Sequence, residues 1–119
     1  MKSERTTSSD FERFKEHAIQ AFRAWGVDDW DIRFKHQRLS GAMANCSTDL
    51  TGRMARLRLS TDFGPNPITD AILRDTARHE AVHVLLAQVT NIGNSRWATE
   101  DEFKAAEEAL VQRLLRVLP

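Results

Sequence analysis

Residues 79 to 83 read His-Glu-Ala-Val-His, and no other stretch of the chain limits its fold and chemistry so tightly. The flanks, Thr76-Ala77-Arg78 before and Val84-Leu85-Leu86 after, hold no glycine or proline and suit a helix. At 3.6 residues per turn the imidazoles of His79 and His83 stand one above the other, and Glu80 projects about 60–100° round the helix from them. Two nitrogens on one face can grip a metal ion while the carboxylate reaches a water that the metal activates. With four His and eight Glu in the chain, a chance match to the pattern has a probability of roughly 1%. The alternative is two histidines satisfied inside a packed helix, but neutral imidazoles there need partners for both nitrogens. A metal supplies one for each. The motif predicts His79 and His83 as metal ligands and Glu80 as the catalytic base.

A chain of 119 residues has room for one modest core. Seventeen basic and seventeen acidic residues cancel, which argues against a nucleic-acid binder driven by a broad basic face, so no nucleic-acid partner is expected. The single Cys46 excludes an internal disulfide and a cysteine-rich zinc cage, and it reads as a small semi-buried hydrophobe. No apolar run approaches the roughly 20 residues that span a bilayer. The polar first ten residues lack the apolar region of a secretory signal, so the expected compartment is the cytoplasm.

The remaining chain reads as α+β. Residues 1–8 are charged and hydroxyl-rich, which predicts a disordered tail ahead of a single domain over 9–119. Ser9 or Asp10 can cap a helix whose stripe is Phe11, Phe14, Ala18, Ile19, Phe22 and Trp25, stopped by Gly26. His17 lies on its polar side, as a solvated histidine. Trp30, Ile32 and Phe34 alternate with Asp31, Arg33 and Lys35, the pattern of a half-buried strand. A second strand is expected over residues 42–46, a turn over 47–52 and a third strand over 53–60. Ala55, Leu57 and Leu59 share one face of the third strand, and Arg53, Arg56 and Arg58 read as the solvated face of an edge strand. Asn66 as cap and Pro67 as first residue open the metal helix, which should reach Val89 or Asn91 before Gly93. Ile68, Ile72, Val82 and Leu86 should share its face with the two histidines. Thr99-Glu100-Asp101-Glu102 is a capping box that opens a last helix, with Phe103, Ala106, Leu110, Val111, Leu114, Leu115 and Leu118 directed inward.

A catalytic zinc site takes three protein ligands and keeps one position open. Residues 84–93 contain no third histidine, so the third ligand should be a carboxylate of the last helix. Helical phase prefers Glu107, in register with Phe103, Leu110 and Leu114; Glu108 lies at the margin of that stripe, in register with Val111 and Leu115.

His79-Glu80-Ala81-Val82-His83-Val84-Leu85-Leu86, with a glutamate on a following helix, resembles the gluzincin division of zinc metallopeptidases. The layout is similar to minimal gluzincins and to metallopeptidases encoded by bacteriophages and prophages, over residues 30–118. The resemblance implies a zincin-like fold of N-terminal helix, short three-stranded sheet, central motif helix and glutamate helix. It also implies a Zn2+ cofactor and a peptide or protein substrate. The family's spacing after the ligand glutamate matches Glu108-x-x-Val111-Gln112-x-Leu114, which assigns Glu108 as third ligand and makes Gln112 a hydrogen-bonding partner of a ligand histidine. Glu107 stays the alternative. The implied reaction is hydrolysis by a zinc-activated water, with Glu80 taking the water's proton and returning it to the leaving amine. The alternative is a non-catalytic, zinc-stabilised interaction module of the same fold. Gluzincins usually steady the oxyanion with a Tyr or His, and this chain has no Tyr. His36 reads as an ordinary exposed histidine. An extended peptide would lie along an edge strand of the sheet.

Overall fold

The computed structural model describes residues 3–49, 51–87 and 99–118. In chain order these form helix α1 (Ser8–Trp25), strands β1 (Asp31–His36), β2 (Ala44–Asp49) and β3 (Met54–Leu59), helix α2 (Asp70–Leu85) and helix α3 (Glu100–Val117). The protein is α+β, as its periodicities predict. No helix of the described residues is long and apolar enough to cross a membrane.

The three strands make a mixed sheet of order β1-β3-β2, β1 parallel and β2 antiparallel to β3. β3 is therefore the central strand and not an edge. Its alternation explains why: Ala55, Leu57 and Leu59 are all fully buried, and only a strand paired on both sides and covered on one face can bury every inward residue. The β2 register, Ala44 opposite Leu59 to Asp49 opposite Met54, carries the second strand three residues beyond the expected 42–46. The turn is correspondingly tighter than residues 47–52, with the Gly52 amide donating to Asp49 Oδ1 at 3.2 Å.

α1 and α2 pack on the inner face of the sheet. Phe14, Ala18, Ala21 and Phe22 of α1 meet Leu73, Ala77, Ala81 and Val84 of α2 in one buried cluster with the β3 residues and Phe63. The alanines at the contact let the two helices approach closely. The buried face of α2 is thus Leu73-Ala77-Ala81-Val84, joined by Val82, while Ile72, Leu86 and both motif histidines are only half-buried. The expectation that His79 and His83 share the apolar face is corrected by about a quarter turn.

Both helix starts differ from their sequence reading for one reason, a better oxygen at the boundary. α1 is capped by Thr7, which accepts from the Asp10 amide at 3.1 Å while Asp10 accepts from the Thr7 amide at 2.8 Å. This reciprocal box, tied to Arg13 as well, holds the Asp10 carboxyl below the usual range; its burial works the other way. α2 is capped by Thr69, whose hydroxyl accepts from the Ile72 amide at 3.1 Å. Asn66 and Pro67 instead lie in the approach, with the Asn66 side chain donating to the Phe63 carbonyl. The described part of α2 ends at Leu85, with Leu86 as its cap; Val89, Asn91 and Gly93 lie outside the described residues. α3 begins directly after Thr99, and the side chain of Glu102, the other half of the expected box, lies outside the described side chains.

The predicted disordered tail is corrected over residues 3–7. Glu4 exchanges backbone hydrogen bonds with Gly64 and Phe63, the Thr6 amide donates to the Thr61 carbonyl, and Arg5 bridges Asp62. Thr6 is buried, its hydroxyl donating to the Ser60 carbonyl at 2.7 Å and meeting His36 Nε2 at 2.6 Å. His36 also stacks on Phe11 with ring centroids 5.0 Å apart, so it is a structural link between three segments and not an exposed histidine. His17 is likewise engaged, with Nε2 3.0 Å from Asp70 Oδ1 at the start of α2.

Ser60 shows how the loop between β3 and α2 is held. Fully buried, its hydroxyl donates to the Asp62 carbonyl and accepts from the amides of Leu39 and Asp62. Ser60→Ala leaves buried amides unpaired, so it should cost about 1–3 kcal/mol, read as a lower urea midpoint at unchanged m-value.

Candidate metal centre

Neighbouring turns of α2 present His79 and His83 with ring centroids 5.3 Å apart. α3 crosses this face of α2. Val111 of α3 is fully buried, and Arg78 of α2 donates to the Leu118 carbonyl at 3.0 Å while lying 5.3 Å over the Trp25 ring. These contacts set the position of α3 so that Glu107 and Glu108, one turn before Val111, reach the histidines.

The two carboxylates do different things. Glu107 Oε1 lies 2.5 Å from His83 Nδ1 and is largely shielded, its side chain 19% exposed. A carboxylate can only accept, so His83 donates its Nδ1 proton there. Glu108 meets the other nitrogens: Oε1 is 3.0 Å from His83 Nε2 and Oε2 is 3.4 Å from His79 Nε2. Ligand atoms of His79, His83 and Glu108 lie within 4.8 Å of one another, close enough to hold a metal ion. Donors bound about 2.0–2.1 Å from one tetrahedral ion stand about 3.4 Å apart, which is the scale of these separations. Gln112, one turn beyond Glu108, places its side-chain amide 3.5 Å from His79 Nδ1. The contacting atom is the amide nitrogen Nε2, so which ring nitrogen of His79 carries the proton is set by how that amide is turned.

These contacts give the site a specific electrostatic problem. A neutral His83 that donates Nδ1–H to Glu107 has only a lone pair at Nε2, and that lone pair faces a Glu108 oxygen. Two acceptors at 3.0 Å repel unless a proton or a cation lies between them. Burial holds His79 below the ordinary imidazole range; His83 pushes the same way, while the Glu108 carboxylate works against both. Burial and the neighbouring His83 therefore disfavour charging His79, and a metal ion held by His79, His83 and Glu108 would place one cation against both Glu108 contacts.

Glu80 points to the inner side of the helix. It is 8% exposed, and burial raises its carboxyl from the ordinary 4.5 to about 7; His83 opposes the rise and Glu108 adds to it. A base whose affinity for protons is balanced near neutrality is suited to taking and returning one. Its neighbour on the sheet side is Cys46 of β2, whose half-buried thiol is pushed up to about 12, first by burial and then by the negative charges of Glu80 and Glu107. That thiol stays protonated, so it adds no charge to the surroundings of Glu80.

Of the residues marked out by sequence, the structure brings together His79, Glu80, His83, Glu107, Glu108 and Gln112, and it keeps His17 and His36 in other contacts. Cys46 was missed as a site neighbour. Period-2 alternation gives its inward direction, but only the strand order brings β2 beside α2. No family model matches the chain, and no curated protein or solved structure matches it.

Proposed function

We propose that the protein is a zinc-dependent metallopeptidase with a zincin-like active site, in which His79, His83 and Glu108 hold the metal and Glu80 is the general base. The observation that carries this reading is the convergence of two imidazole Nε2 atoms and one carboxylate within metal-ligand reach of one another, beside a buried glutamate balanced near neutral pH. Bound there, zinc would supply Lewis acidity toward a scissile carbonyl and toward a water. The other parts of the reaction belong to the chain. Glu80 accepts a proton from the water on its Oε atoms and delivers it to the departing amine. Glu107 keeps the His83 proton on Nδ1, so that Nε2 stays available as a ligand, and Gln112, with its amide oxygen turned to Nδ1, would do the same for His79. The burial of Glu80 sustains its raised proton affinity. On β2, the edge away from β3 offers its backbone groups to an extended peptide, in the manner of strand addition.

One observation favours a second reading, a metal-stabilised module that binds a protein without cleaving it. No described side chain besides the motif residues stands ready to steady an oxyanion: the chain lacks Tyr, and His36 is held by Thr6 and Phe11.

Three measurements test these readings. Protein purified with zinc should hold about one ion per chain, and His79→Ala, His83→Ala or Glu108→Ala should abolish stoichiometric loading, whereas Glu107→Ala should weaken it by about 10–100-fold. Zinc that is absent or unaffected by Glu108→Ala rejects the site. Glu80→Gln should retain the metal and lower peptide hydrolysis by about 10²–10⁴-fold; a wild-type protein that binds zinc but cleaves no member of a peptide library supports the module instead. The third is the pH dependence of the metal-free protein. Between the ordinary 4.5 and about 7 the folded state holds a proton on Glu80 that the unfolded chain has released, so this carboxyl stabilises the fold at low pH and loses that effect as pH rises through 7. His79, shifted downward, acts in the opposite direction as pH falls, but it is common to both proteins compared. The stability difference between Glu80→Gln and wild type should therefore shift in favour of the variant from pH 5 to pH 8, by on the order of 2–3 kcal/mol. A flat difference would remove the buried, proton-holding Glu80 from the argument.

A further inference from the structure

The outer face of the sheet, turned away from α1 and α2, carries a charge arrangement that the metal centre does not use. Because Ile32 pairs with Ala55 and Phe34 with Leu57 on the inner face, the intervening positions point outward: Arg33 opposite Arg56 and Lys35 opposite Arg58. Four cations therefore occupy a two-by-two block on adjacent strands, about 4.8 Å apart across the strands and about 7 Å along them at the backbone. Like charges directly opposite one another destabilise a sheet, and neutralisation within the fold is partial. Arg33 pairs with Asp31 at 3.0 Å, and Arg58 donates to the neutral oxygens of Asn45 and Ser47 at 3.2 and 3.3 Å. Among the described residues no acidic side chain pairs with Lys35 or Arg56, and both are exposed. Asn45 and Ser47 complete the face on the β2 side.

We infer that this face binds the phosphodiester backbone of nucleic acid, without reading its sequence. The composition of the face separates this occupant from an acidic protein segment. A protein interface needs an apolar centre to bury, and between the four cations, Asn45 and Ser47 there is none. Phosphate oxygens need only charge and hydrogen-bond donors, and arginine's planar fork matches them. The same hydroxyl and amide side chains are common phosphate partners. With no aromatic side chain on these outward positions, no base can stack there, so binding is independent of sequence and set by charge. A neutral chain can carry such a patch because its acidic residues are placed elsewhere; Asp31, Asp49 and Asp29 sit at one end of the sheet and confine the basic block to the other.

The test is fluorescence anisotropy of a labelled single-stranded DNA of about 20 nucleotides with the full chain at about 50 mM salt. Binding with a dissociation constant under about 100 µM is expected, and a plot of log K against log salt should have a slope near −3, as four neutralised phosphates require. Lys35→Glu with Arg56→Glu should weaken binding at least tenfold, whereas Arg23→Glu, an exposed cation of α1, should leave it unchanged. The double variant replaces like-charged cross-strand pairs by opposite ones, so its melting temperature should equal or exceed that of the wild type, which separates lost binding from lost fold. No binding at low salt, equal losses in the two variants, or displacement by a poly-glutamate peptide at matched charge would each overturn the inference; the last would hand the face to acidic protein segments.

Discussion

Two histidines and a glutamate aimed at one another are the constraint on which this structure turns. The Nε2 atoms of His79 and His83 and the Glu108 carboxylate converge from two helices, and a proton or a cation has to lie between the carboxylate and each ring nitrogen. The fold holds the acceptors in place from behind. Glu107 takes the His83 Nδ1 proton, the buried Val111 anchors α3, and Arg78 fastens the far end of α3 to α2 through the Leu118 carbonyl. An isolated exposed ion pair between helices would contribute almost nothing to their docking. A cation shared by the two helices, as proposed above, would contribute more, because its binding energy adds to the docking. The docking of α3 and the proposed chemistry of the site would then be one property.

α2 can serve such a site because its other side is locked. Alanines 77 and 81 face alanines 18 and 21 of α1, all essentially inaccessible, so the helices approach with little side chain between them. The same packing turns the histidines away from the core onto a half-exposed flank. It also leaves Glu80, one residue on from His79, on the inner side of that flank, next to the sheet. One residue of helical rotation thus separates a half-exposed histidine from a buried carboxylate, and the difference in burial raises the proton affinity of Glu80.

How much of this was legible in the sequence depends on the range of the interaction. The motif helix, the helical stripe of α1 and the inward face of β3 are local periodicities, and all three form, though both helices start at other caps and the buried face of α2 is turned from the expected one. The choice between Glu107 and Glu108 is also nearly local. Phase placed Glu107 closer to the apolar stripe, and in the structure it is the more shielded of the two, while Glu108 stands outward where both Nε2 atoms point. Burial and ligand position were different questions, and helical phase answered only the first. Features that needed long-range pairing were not readable. That Thr7 and not Ser9 begins α1, that the N-terminal residues pair with 61–64, and that β3 enters between β1 and β2 all depend on contacts between distant segments. The Asn-Pro pair at 66–67 misled for a related reason: its turn propensity was correctly sensed, but Thr69 offered a hydroxyl nearer the first free amides.

The central position of β3 also explains how one small sheet can present two unrelated chemistries. Its inward residues are Ala55, Leu57 and Leu59, and its outward ones include Arg56 and Arg58, so a single strand separates an apolar interior from a basic exterior. Had β3 been the edge that its arginines suggest, they could have been explained as protection against strand addition. A central strand has no free edge to protect, and that explanation fails. The cations must then be accounted for by the face they form, whose opposed like charges cost stability. Only the sheet lies between that face and the metal centre, and Arg58 acts through it, lowering the Cys46 thiol against the rise caused by burial, Glu80 and Glu107. Substitutions at Lys35 and Arg56 leave Arg58 in place and so bear on the outer face without removing that contact.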